Sequence, residues 1–334
     1  MDVETYQANG AMAVAALRET APTCRATVIP SIPSKQDFGD IDILVEQDAR
    51  PTLPAAIDRL GAKEVRHNGP VVSIGMPGVD GVVQVDFIYV PAANYEFALA
   101  YFGFNDMGNL LGRVAHKAGF KLGERGLLYV VRDEDNSSHV LQELAVTNDW
   151  DEALDLLGYD AKRYRAGVNG GFQTMDDVFR YVVSSPYIYA DMYTLENRSH
   201  AARTRDRKRP TYRAFLEWLE KDEVVVPPPW EDKALVRQFM LQTAKDRFPD
   251  FARAHAEAVE LNNLRKRAGL KWNGEIAREL TGLDGVELGE LMQRVRGQFP
   301  NKEEMWRWLI DADESEIAEM ATGQCVDAGV ALDT

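Results

Sequence analysis

Asp40, Asp42 and Asp86 are the residues whose type and spacing could do chemistry. Asp40 and Asp42 flank Ile41 in Gly39-Asp40-Ile41-Asp42-Ile43-Leu44-Val45, where carboxylates alternate with aliphatic residues before the run turns apolar. That alternation is a strand's, and residues i and i+2 of a strand project from one face. Asp86 lies within a second apolar stretch, residues 82–90. A lone aspartate in such a strand is costly to bury. If the two strands are neighbours, the carboxylates converge, and like charges that close repel unless a cation sits between them. The oxygen-rich set suits Mg²⁺ or Mn²⁺. Such ions can activate an attacking hydroxyl and neutralise a leaving pyrophosphate. An Asp-x-Asp pair alone also occurs on solvated strand edges and helix caps. The preceding Gly39, the apolar run and the third aspartate favour the catalytic reading.

The surrounding pattern predicts an α+β domain over residues 1–147. It opens with a helix over 4–20 and a strand over 24–32 that Pro30 and Pro33 end. The aspartate strand follows, then a helix over 51–60. Strands over 71–76 and 82–90 read as a hairpin joined at 78–81. A helix over 108–119 and strands over 127–132 and 139–146, with a turn at 133–138, complete this part. From 148 to 334 helical periodicity dominates, with helices expected at 150–157, 175–183, 213–221, 233–248, 250–268, 275–280, 287–299 and 302–312. Residues 224–229, three valines and three prolines, read as a stiff linker. The last ten or so residues are expected to fray.

Composition narrows the function classes. No stretch approaches the roughly 20 apolar residues that span a bilayer. Two cysteines, Cys24 and Cys325, argue against a disulfide scaffold or a thiolate zinc site. The acidic start lacks the basic opening of a signal peptide, so a reduced, cytoplasmic location is expected. The net charge of −15 weakens a general nucleic-acid coat. One segment runs the other way: Arg198, Arg203, Arg205, Arg207, Lys208, Arg209 and Arg213 share residues 197–213 with a single acid, Asp206. It reads either as a solvated helix end or as a contact for polyanionic RNA.

Residues 24–90 resemble the DNA polymerase beta-type nucleotidyltransferase superfamily, which includes poly(A) polymerases, CCA-adding enzymes and aminoglycoside nucleotidyltransferases. The resemblance implies a mixed sheet flanked by helices, metal binding at Asp40, Asp42 and Asp86, and transfer of a nucleoside monophosphate from a nucleoside triphosphate with release of pyrophosphate. The family's Gly-Ser turn has no glycine here; Pro30-Ser31 is the nearest equivalent. Ser31, Ser34 and Lys35, with Gly39, are then the candidate triphosphate contacts, a polar turn being the alternative for the first three. A helix bearing Lys often follows the third carboxylate in these enzymes, which nominates Lys117. Near the C-terminus, residues 272–292 are similar to the helical part of CCA-adding enzymes. The plainer account makes Gly282 a helix cap and Leu288, Leu291, Met292 and Val295 core.

His116 is read as a surface residue. Tyr181, Tyr187, Tyr189 and Tyr193 are read as packing rather than base-stacking residues. No phosphate-binding loop of the Gly-x-x-x-x-Gly-Lys kind occurs. The expected protein is thus a metal-dependent nucleotidyltransferase with a helical acceptor-binding domain. An RNA 3′ end such as a tRNA's is the leading acceptor. A small molecule or a protein is a rival acceptor, and a non-catalytic nucleotide- or RNA-binding module a rival class.

Overall fold

The computed structural model describes residues 1–78, 81–133, 139–221 and 224–327. The chain divides into two compact units, Met1–Phe251 and Ala252–Thr334. The first is α+β. Helix α1 (Val3–Thr20) starts at Asp2, whose carboxylate accepts from the Thr5 amide at 2.8 Å. Strands β1 (Ala26–Val28), β2 (Asp40–Glu46), β3 (Glu64–Asn68), β4 (Val71–Gly78) and β5 (Gly81–Val90) form one mixed sheet in the order β1-β2-β5-β4-β3. Strands β2 and β5 run parallel, and the other pairings are antiparallel. Helix α2 (Leu53–Leu60) lies between β2 and β3 in sequence and stops at Gly61, whose φ of 63° suits glycine.

The period-2 pattern sorts the sheet's two faces. Ile41, Ile43, Val45, Val85 and Phe87 are buried with Ala13 and Leu17 of α1 and Ala56 of α2. Leu44 and Val90 point the other way and pack on Tyr95 and Ala98 of α3 (Tyr95–Phe102). That second cluster holds the C-terminal ends of β2 and β5. Toward the start of β2 the same face carries aspartates instead.

Helix α4 (Met107–Lys117) precedes a three-stranded antiparallel sheet of β6 (Phe120–Gly123), β7 (Gly126–Arg132) and β8 (Val140–Thr147). Helices α5 (Trp150–Leu156), α6 (Ala161–Ala166), α7 (Met175–Val182), α8 (His200–Arg207), α9 (Pro210–Leu219) and α10 (Lys233–Arg247) follow within the same unit. The division therefore falls at 251/252 and not at the expected 147. The cause is buried bonding across residue 147. The Tyr193 hydroxyl donates to the Leu110 carbonyl at 3.1 Å. The buried Arg113 guanidinium donates to the Met192 carbonyl at 2.8 and 3.1 Å. Trp150 meets Phe97 edge-on, with centroids 5.0 Å apart. Helical periodicity marked a change of element type, which is not a change of domain.

The division lies within α11 (Pro249–Lys271); α12 (Gly274–Thr281), α13 (Gly285–Gly297), α14 (Lys302–Asp311) and α15 (Glu314–Asp327) belong to the second unit. Trp272, Leu291, Val295, Leu309 and Cys325 are part of its core, and Leu288 and Met292 pack against it. Gly282 closes α12 at φ 71°. Residues 224–229 carry no helix or strand. Strands β3 and β6 and helices α3, α6, α8 and α15 are additional to the expectation. Strand β3, Glu-Val-Arg-His-Asn, is exposed throughout and has no buried face for a pattern to reveal. Strand β1 is shorter than the expected 24–32. Parts of the expected turns at 78–81 and 133–138, and most of the tail expected to fray, lie outside the described residues.

A fragment ending at residue 147 would leave the Arg113 guanidinium buried without an acceptor and expose the apolar faces beneath α5 and α7. The fragment 1–147 should accordingly melt without cooperativity, and the fragment 1–251 with a single cooperative transition. Thermal unfolding followed by circular dichroism checks this, and a cooperative melt of 1–147 would return the boundary to that position.

Candidate metal centre

The parallel register pairs Asp42 with Asp86 and Asp40 with Gln84. Paired residues share a face, so Asp40, Asp42, Gln84 and Asp86 project together on the side away from α1 and α2. One carboxylate oxygen from each aspartate lies within 4.8 Å of the other two. Asp40 is exposed, Asp42 and Asp86 half-buried. The Asp42 carboxyl is pushed up to about 6, first by burial, then by the charges of Asp40 and Asp86, with Lys35 opposing. The Gln84 amide donates to both Asp86 oxygens at 3.1 and 3.3 Å and orients that side chain.

This donor set fits a hard divalent cation. Three carboxylates supply oxygen ligands at one point, and the strain of holding them together is relieved by positive charge. The three carboxylates expected to converge if the two strands are neighbours do so.

The approach to β2 carries the other expected residues. Lys35 lies near enough to Asp42 to lower its pKa, and its ammonium sits 4.6 Å from the Phe38 ring centroid. Phe38 in turn stacks on Tyr6 of α1, centroids 3.8 Å apart. The Tyr6 hydroxyl is raised to about 12, first by burial and then by the charges of Asp42 and Asp40. Tyr6 escaped sequence reading because nothing in α1 points to a strand 34 residues on. Ser34 is bound through its amide to the Gln173 carbonyl at 3.1 Å, and the Ser31 hydroxyl reaches the Asn105 side-chain oxygen at 3.5 Å. Gly39 needs no left-handed backbone, and a Cβ there would meet nothing within 4 Å. No part of the chain requires a glycine at this position, and the space beside it is open.

On the same face, register continues the row from Asp86 to Ser73 and Arg66, and from Gln84 to Gly75 and Glu64. Glu64, Arg66, Ser73, Gly75 and Gln84 line a cavity of about 340 Å³, and Gln84 also belongs to the carboxylate site. Strand β3 was not expected, and Arg66 was therefore missed; Ser73 lies on the expected strand β4 but carries no signal of its own.

Lys117 belongs elsewhere. Its ammonium is lowered by burial and by Arg113, Lys233, Arg237 and Arg198, a set without the aspartates of β2 and β5. The i, i+4 spacing to Arg113 is real, but Arg113 is turned into the core by its bonds to Met192. The basic segment is also not one free strip. Arg198 is buried and pairs at 2.5 Å with the wholly buried Asp206, to which Arg205 is also bound at 3.3 Å. Arg209 pairs with Asp106. Arg207, Lys208 and Arg213 are exposed. Tyr181, Tyr189 and Tyr193 are buried packing residues, and Tyr187 is half-buried.

Neither the models of known protein families nor the curated proteins give a match to this chain.

Because Asp42 titrates higher folded than its usual 3.8, the folded state binds more protons between about pH 4 and 6. Stability of the metal-free protein is therefore expected to fall as pH rises through that window, the full cost being present above about 6. Asp42→Asn removes the charge and should stabilise the metal-free protein at pH 7.5 by roughly 1–2 kcal/mol, a pKa unit being worth about 1.4 kcal/mol before the discount for water access. Mg²⁺ should raise the melting temperature of the wild type and leave that of Asp42→Asn unchanged. Equal Mg²⁺ response in both would remove Asp42 from the ligand set.

Proposed function

We propose that this protein is a metal-dependent nucleotidyltransferase, with Asp40, Asp42 and Asp86 as the metal ligands. The convergence of three carboxylates from two parallel, register-locked strands is the observation that carries the reading. When bound, a divalent cation supplies charge neutralisation at the phosphates and acidifies an acceptor hydroxyl. The chain's own groups position the reactants, which is most of what phosphoryl chemistry requires. Lys35 presents a cation at the entrance to β2, Ser31 and Ser34 border the same approach, and the open backbone at Gly39 leaves room for a phosphate. The acceptor oxygen bonds to the α-phosphorus, the bond to the bridging oxygen breaks, pyrophosphate leaves, and the hydroxyl proton passes to water.

The cavity lined by Arg66, Ser73 and Gln84 favours a small acceptor, since it is pocket-sized and adjoins the carboxylates. An RNA acceptor is the second reading, supported by the exposed Arg207, Lys208 and Arg213. A non-catalytic module accounts less well for the mutual repulsion of the carboxylates. Among the described residues no helix is long and apolar enough to cross a membrane.

Incubation with each labelled nucleoside triphosphate, Mg²⁺ or Mn²⁺, and either total tRNA or a small-molecule extract tests the activity and separates the acceptors. Transfer should be lost in Asp40→Ala, Asp42→Ala and Asp86→Ala alike, with each variant still folded. Full activity in Asp86→Ala would sink the assignment. Gly39→Ala should leave the melting temperature within about a degree, because nothing in the chain opposes the added methyl, and should raise the KM for the triphosphate severalfold. An unchanged KM would place the phosphates elsewhere.

A further inference from the structure

Lys35 is a cation whose charge acts on Asp42, yet among the described residues it has no ion-pair partner. Opposite charges attract, and the stem of a lysine is long and flexible enough to follow the attraction. The ammonium lies instead over the Phe38 ring, 4.6 Å from its centroid. The face of an aromatic ring is negative and draws a cation, most strongly where water is partly excluded. Lys35 is half-buried, so water is partly excluded here.

The ring is held on several sides. Phe38 is 5% exposed. Its amide donates to the Met1 carbonyl at 2.9 Å. Tyr6 stacks on it, with centroids 3.8 Å apart and planes at 18°. Tyr6 belongs to α1 and packs against the apolar cluster under the sheet. Tyr6, Phe38 and Lys35 therefore form a series that ties a charge at the entrance to β2 to the position of α1. The arrangement matters because a lysine collapsed onto the aspartates would occupy oxygens that a divalent cation needs. Held on the ring, it leaves those oxygens open and keeps its own donors for a phosphate. A side chain already in place also has less rotamer freedom to lose when a ligand binds.

We propose that Phe38, backed by Tyr6, is a positioning residue that holds the Lys35 ammonium off the carboxylates, so that a divalent cation and a cationic side chain keep separate places in one site. The proposal rests on the reading of Asp40, Asp42 and Asp86 as metal ligands, and it does not require nucleotidyl transfer to be the reaction.

The test is Mg²⁺ binding to the full chain, measured by calorimetry in the wild type, Phe38→Leu, Lys35→Met and the double variant. Phe38→Leu keeps an apolar side chain and removes the ring. It should weaken Mg²⁺ binding by roughly threefold, the ratio a contact of this kind is worth. Lys35→Met should tighten it, since a repelling charge is gone. In the Lys35→Met background Phe38→Leu should change nothing, because no ammonium remains to be released. That coupling is what a merely structural role for Phe38 would not produce. Tyr6→Phe, which keeps the stack, should bind Mg²⁺ as the wild type does. Tyr6→Leu, with and without Lys35→Met, carries the same comparison should Phe38→Leu not fold. Equal weakening in both backgrounds, or no weakening when Lys35 is present, would overturn the proposal while leaving the metal ligands in place. A wild type that takes up no Mg²⁺ would overturn the reading of the carboxylates and the proposal with it.

Discussion

Mutual repulsion among three carboxylates is the constraint around which the first unit is built. Strands β2 and β5 lie parallel and adjacent, and their register sets Asp42 opposite Asp86. Nothing in a hydrophobic core calls for that pairing, and the Asp42 carboxyl is raised to about 6, first by burial and then by the charges of Asp40 and Asp86. The sheet tolerates it because its other face is firmly held. Ile41, Ile43, Val85 and Phe87 are fully buried, and their burial fixes the register that brings the acids together. A slip of one residue would turn the aspartates into the core and the aliphatic residues outward. The free energy of apolar burial thus holds the charges where electrostatics alone would separate them.

The same division of labour appears on the helical side of this unit. Asp206 is wholly buried and holds Arg198 against Tyr212, whose hydroxyl bonds to the Tyr193 carbonyl at 2.6 Å. Tyr193 bonds onward to the Leu110 carbonyl in α4. A chain of buried polar contacts therefore runs from α8 to α4, and the residues after 147 complete the unit that holds the carboxylates. Such a network is stable only when nearly all its members are satisfied.

Local patterns were legible. The alternation in residues 40–45 gave the strand and its carboxylate-bearing face, the aspartates were identifiable from their apolar settings, and Gly282 proved to be the helix cap its context indicated. Strand β3 was not legible, since none of its side chains is buried and its position comes from pairing with β4. Arg66 went unseen with it. Tyr6 was hidden for a related reason: its place near Asp42 follows from how α1 lies on the sheet. Lys117 was placed with the phosphates by its position after the third carboxylate. In the fold, the charges that act on Lys117 are those of Arg113, Lys233, Arg237 and Arg198.

The sequence by itself determined which residues could act together and which element types carry them. Period and composition are properties of neighbouring residues, and hydrophobic alternation translates directly into strand faces. Only the tertiary structure decided what a charge is worth. Arg198, Arg205 and Arg209 look alike in the chain, yet one is buried on Asp206, one shares that acid from the surface, and one is bound to Asp106. The location of a counter-charge and the water around it set the energy of an ion, and for Arg209 that counter-charge, Asp106, lies 103 residues away in the chain.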